Sequence, residues 1–205
     1  MESYTTVLNV SRFEYEDRKS VFIGACSPVK TEEEALNFIA SLKKEFPDAR
    51  HHVYAYVLRE NSIMRFTDDR EPQGTAGMPV LDAIRKNGLT DAVVVVVRYF
   101  GGTLLGTGGL VKAYSTAATG ALRAANIITY DIYTSLKIEL SYSDYQKVLP
   151  MLEAASFRIE ATDYAENVLV SGKIIKSGVE SLVSDITEST SGRAGVEILG
   201  DKFDY

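Results

Sequence analysis

The chain has 205 residues, a net charge of −6, 45% hydrophobic and 24% charged residues, one cysteine and two histidines. That length suits one large domain or two small ones, and the composition excludes an internal disulfide, a cysteine-based zinc site and a histidine-rich metal centre. No apolar run approaches the roughly 20 residues of a membrane span, and the first residues, Met1 to Tyr4, show no basic leader region, so a cytoplasmic protein with no membrane partner is expected.

The charge is uneven. Residues 1–130 carry 15 basic and 15 acidic side chains, whereas residues 131–205 carry 7 and 13. A generic polyanion binder shows a basic excess. Any nucleic-acid contact must therefore come from a local patch in the first part, while the acidic second part repels phosphate or mimics it for a basic partner.

Residues 4–28 read as a β-hairpin, with Tyr15–Ser20 as its charged connection and Val21–Cys26 as its second strand. Cys26 reads as a small core residue. Thr31 and Glu34 form a capping box opening a helix whose apolar face is Ala35, Phe38, Ile39, Leu42 and Phe46; Pro47 ends it. His51–Leu58 follows as a strand. Its His52, Tyr54 and Tyr56 share one face, and Val53, Ala55 and Val57 the other. Two readings of Tyr54 and Tyr56 stay open: a platform on which bases stack, or filling of a half-buried sheet surface. His51 and His52 point to opposite faces and cannot act as a paired metal site from this strand alone.

Asn61-Ser62 makes a turn, residues 63–66 return as a strand, and Asp68, Asp69 and Glu71 follow in a loop. Three carboxylates there suit Mg²⁺ with waters; equally, they suit pairing with Arg98, locking the turn beyond it. A helix starts near Thr75, tolerates Pro79 in its first turn and closes at Asn87-Gly88.

Residues 91–120 organise the rest. Val93–Val97 is a run of β-branched residues, the signature of a strand buried on both faces. Arg98 ends it, and Gly101, Gly102, Gly106, Gly108 and Gly109 fall within nine positions. After Gly109 the spacing of Leu110, Tyr114, Ala117, Ala118 and Ala121 is helical. Glycines leading into a helix start, with Arg98 and Lys112 nearby, make a candidate anion seat. The helix start at Thr75 and Gly77 is a second. Neither matches a P-loop or G-x-G-x-x-G, and tight packing alone also explains the glycines.

Two stretches carry a resemblance. One runs from Phe66 through Asp68-Asp69-Arg70-Glu71-Pro72 and Gly74-Thr75-Ala76-Gly77 to Pro79. The other is Arg98-Tyr99-Phe100-Gly101-Gly102, continued by Leu105-Gly106, Gly108-Gly109-Leu110 and Lys112-Ala113-Tyr114. With them the chain resembles the IMPACT family, which includes the bacterial YigZ-type proteins and is also grouped as an uncharacterised protein family. Arg70 stands where that family usually carries glycine. The resemblance implies an N-terminal domain like the ribosomal protein S5 domain 2-like fold. It implies a translation-associated role, since eukaryotic members regulate translation-linked stress signalling by competing for a protein partner.

Ile127–Tyr130 reads as a short strand and Asp131 as a linker, giving domains at 1–130 and 131–205. The second domain shows βαββαβ order, with strands around Leu136–Leu140, 157–164, 168–175 and 196–198 and helices through Val148 and Leu182. That is the ferredoxin-like plan, with helices on one sheet face and the other face available to a protein partner. The overall class is α+β. No Ser–His–Asp elbow, H-E-x-x-H or C-x-x-C occurs. The preferred function is a non-catalytic binding protein contacting RNA or a ribosome-associated protein through the glycine-rich turn. The alternative is a Mg-dependent hydrolase or transferase acting on a phosphorylated small molecule.

Overall fold

The computed structural model describes residues 3–205, and only the backbone of Asn61. Met1 and Glu2, with which the expectation about a leader began, lie outside the described residues. Among those described, no helix is long and apolar enough to cross a membrane. The chain is of the α+β class and divides into two compact units, Tyr4–Thr129 and Tyr130–Tyr205.

In the first unit, β2 (Ser11–Asp17), β3 (Ser20–Pro28), β4 (His51–Leu58), β5 (Ile63–Thr67) and β6 (Ala92–Tyr99) form one sheet in the order β2-β3-β6-β4-β5. All its pairings are antiparallel. The β2–β3 connection is only Arg18-Lys19, both with positive φ of 48° and 64°, a two-residue turn whose twist matches the flanking strands. It is shorter than the Tyr15–Ser20 connection expected, because the strands pair up to Asp17–Ser20. Residues 4–7 are a separate strand, β1 (Tyr4–Val7), lying beside β7 (Ile127–Leu140).

Helices cover both faces of the sheet. Helix α1 (Glu32–Glu45), capped by the Thr31 hydroxyl, packs Ala35, Ile39 and Leu42 against Val93, Val95, Val97 and Tyr56. Helices α2 (Gly77–Lys86) and α3 (Gly106–Ala124) pack against Val53, Ala55, Val94 and Val96 on the other face. Alternate valines of β6 thus enter two different cores, which is why the run needs no polar position. Such runs are usual in parallel sheets; here both faces of an antiparallel sheet are covered. Cys26 is fully buried, and burial pushes its thiol up to about 12.

Strand β7 is continuous over 14 residues, so no linker exists at Asp131. The second unit adds α4 (Tyr142–Ala154), β8 (Arg158–Tyr164), β9 (Val168–Ile175), α5 (Val179–Ser189) and β10 (Gly195–Asp204). Its antiparallel strands lie in the order β10-β7-β9-β8, the split-βαβ arrangement. Helices α4 and α5 bury Val148, Leu152, Leu182 and Ile186 on Leu136, Ile138, Val168 and Val170. The opposite face carries Lys137, Glu139, Ser171 and Lys173, the last paired with Asp204 and Glu160. Asp144, in the first turn of α4, receives two hydrogen bonds from Arg193 and one from Ser141, and Arg193 above all holds its carboxyl down at about 2.

Candidate anion-binding site

Arg98 is the last inward-facing residue of β6, and strand register sets it between Phe22 of β3 and His51 of β4. It is 5% exposed. Its guanidinium donates to Glu71 Oε1 at 2.5 Å, and the same oxygen accepts the Tyr114 hydroxyl at 2.8 Å. Burial pushes the Tyr114 phenol far up, and the adjacent Glu71 adds to the shift, so Tyr114 stays a donor. The guanidinium carbon lies 5.3 Å from the Phe22 ring centre and 5.6 Å from that of Phe100. A buried pair of this kind holds its geometry tightly, because an unpaired charge there is costly. Arg98 Nε is buried without a hydrogen-bond partner.

The loop after β5 places the carboxylates, each on a different task. Asp68 accepts the backbone N–H groups of Gly74, Ala76 and Gly77 at 2.9, 3.1 and 2.8 Å, capping α2 from outside the helix. Asp69 accepts the His52 N–H at 2.6 Å, and its carbonyl accepts His51 Nδ1–H at 2.8 Å. A carbonyl only accepts, so His51 carries its proton on Nδ1 and turns Nε2 toward Glu71, 3.7 Å away. Asp69 and Arg70 both have positive φ, 40° and 69°. A glycine at position 70 would adopt this turn without strain.

Above the pair lies a cavity of about 360 Å³ lined by Arg50, His51, Arg70, Arg98, Phe100 and the α3 start at Gly106-Thr107, among others. Among the described residues no side chain caps the first turn of α3, so its leading N–H groups and the positive end of its dipole are open.

The structure sorts the predicted site residues into distinct roles. Arg98 and Gly106 line the cavity. Helix α3 begins at Gly106 rather than after Gly109, so Gly108 and Gly109 lie in its first turn. Gly101 is a packing glycine: a Cβ there would meet the Lys19 carbonyl carbon at 2.0 Å. Gly102 and Gly106 supply positive φ of 84° and 72°. Gly108 has neither reason, since a Cβ added there meets nothing within 4 Å.

Lys112 does not join Arg98. It lines a separate groove with Phe13, Thr116 and Arg123, because position 112 turns away from the sheet while Leu110, Ala113 and Tyr114 are buried. The seat expected at Thr75 and Gly77 is filled by Asp68. Tyr54 and Tyr56 form no open platform. Helix α1 covers that face, Tyr56 is 3% exposed, and its hydroxyl donates to Glu32. Asp68, Asp69 and Glu71 do not converge as a Mg²⁺ ligand set. Among the described residues no group of three or more His, Cys, Asp or Glu is placed to hold a metal. Sequence reasoning missed Arg50, His51, Arg70 and Phe100 as lining residues. The available signal was position: His51 opens β4, the strand that pairs with β6, and Arg50 directly precedes it.

The Impact N-terminal domain family matches residues 18–122, and a domain of unknown function, DUF1949, matches residues 138–193. The chain belongs to the IMPACT family. It is 34% identical to the IMPACT family member YvyE of Bacillus subtilis over 198 residues, covering 96% of this chain and 91% of the relative. Identity to the IMPACT family member YigZ of Escherichia coli is 37%, covering 76% and 78%. The mammalian Protein IMPACT of Bos taurus is 33% identical over 94 residues, 44% of this chain and 30% of that one. A crystal structure of a hypothetical protein aligns with a TM-score of 0.61 at 32% identity, covering 98% of each chain. The whole cavity falls inside the part that matches the Impact N-terminal domain.

Proposed function

We propose that this IMPACT family member is a non-catalytic binding protein that acts around translation and holds RNA phosphate in the cavity at the start of α3. One observation carries the reading. Three arginines and an uncapped helix start line a single recess, and its one carboxylate, Glu71, is already paired with Arg98. Backbone amides and guanidinium groups are what phosphate binding uses. The translation context rests on family membership alone. A neutral N-terminal half with a local basic recess implies modest affinity that falls with salt.

The test is binding of a short single-stranded RNA across a salt series. Engagement of the two uncompensated arginines gives a log–log slope of about −1.4, and removing both brings it close to zero. The Arg50→Ala, Arg70→Ala double variant removes exposed side chains and leaves the buried pair intact. It is expected to lose most of the binding, whereas Lys112→Ala keeps it. Equal RNA binding by the folded double variant would remove the site. No RNA binding by the parent, with capture of a ribosome-associated protein through the C-terminal sheet, would move the function to that partner.

A further inference from the structure

We propose that the recess takes a terminal phosphate, the dianionic phosphomonoester of a nucleoside 5′-phosphate, rather than the internal diester of a strand. This deepens the reading above and rests on it for the location of the site.

The first argument is charge. Arg98 is neutralised by Glu71. Arg50 makes no ion pair among the described residues and instead lies 6.0 Å from the Phe100 ring centre. Arg70 only approaches Asp69 at 3.9 Å, while the other oxygen of that carboxylate takes the His52 N–H. Two guanidinium charges therefore remain largely uncompensated beside a positive helix end. A phosphomonoester carries about −1.5 to −2 at neutral pH, which matches them; a diester carries one charge.

The second argument is shape. Of the residues that line the recess, Arg98, Glu71 and Leu110 are buried and form its protein side. A group at a chain end reaches that protein side with the chain leaving in one direction, whereas an internal phosphate must lead the strand out on both sides. The rim offers Phe100, 41% exposed, and Leu104, 82% exposed, an apolar surface for the attached base.

Two further features point to a ligand. Arg98 Nε, inside a side chain 6% exposed, lacks a hydrogen-bond partner. Gly108, next in the chain to the lining residues Gly106 and Thr107, is required as glycine by neither its packing nor its φ, and without a Cβ it leaves the first turn of α3 bare.

The experiment compares three ligands on the full chain: a 5′-phosphorylated RNA oligonucleotide, the same oligonucleotide with a 5′-hydroxyl, and a nucleoside 5′-monophosphate. The phosphorylated RNA is expected to bind at least about tenfold more tightly than the hydroxyl form, a charge-assisted difference. Gly108→Val, whose Cβ meets nothing within 4 Å, is expected to remove that preference, and Lys112→Ala to keep it. Equal binding of the two RNAs would overturn the terminal-phosphate assignment and leave RNA binding standing. Mononucleotide binding without RNA binding would support the assignment and remove RNA as the partner. Failure of all three ligands to bind would overturn both.

Discussion

The two glycine-bearing helix starts of the N-terminal unit meet one electrostatic demand in opposite ways. At α2, Asp68 reaches across the loop and accepts three amide protons. At α3, no side chain among the described residues caps the first turn, and three arginines stand around it with one carboxylate, Glu71, already paired. A helix start that supplies its own carboxylate is a closed structural joint; one ringed by cations is poised for an anion from outside. Glycine content does not separate the two cases. The position of one aspartate does.

That contrast can be broken at its foundation. Glu71→Leu leaves the Arg98 cation buried without its partner and is expected to cost about 3–5 kcal/mol, read as a lower midpoint in denaturant unfolding. A loss under about 1 kcal/mol would mean that the pair does not hold the site together. Asp68→Asn weakens the α2 cap and is expected to cost about 1–2 kcal/mol. It also gives α2 the open character of α3, so added phosphate should raise the melting temperature of this variant more than that of the parent.

Arg70→Gly relieves the left-handed residue and is expected to stabilise the fold by about 1 kcal/mol while lowering RNA affinity, since Arg70 lines the recess. A variant that gains stability and binds RNA unchanged would exclude Arg70 from the contact. The smallest effect on stability is expected from Thr107→Asp, which gives α3 the internal anion that α2 already has. It should stabilise the helix by about 0.3–1 kcal/mol and weaken RNA binding. Retained affinity in a titration would show that the α3 start is not the seat.

Much of this was legible in the sequence. The Thr31 helix cap, the valine strand and the second unit's βαββαβ order follow from periodicity and local chemistry, which depend on neighbours in the chain; the Glu34 carboxylate reaches the Lys30 N–H rather than that of Thr31. The Glu71–Arg98 lock was one of two open uses of the loop carboxylates. The fate of Tyr54 and Tyr56 was not legible, because only the packing of α1 decides which sheet face is covered. Lys112 was misplaced for a related reason: its apparent nearness to Arg98 came from sequence proximity, whereas the onset of α3 at Gly106 sets the direction of the side chain. Arg50 and His51 join the recess through β4–β6 register, 47 residues from Arg98 in the case of His51.

By itself, then, the sequence determined the elements and the presence of a glycine turn beside a cation, since these express local preference and hydrophobic period. Tertiary structure alone decided which helix start stays open, which arginines surround it and which carboxylates are already spent. Those outcomes depend on side chains brought together across the sheet, and contacts at long sequence separation leave no periodic trace in the chain.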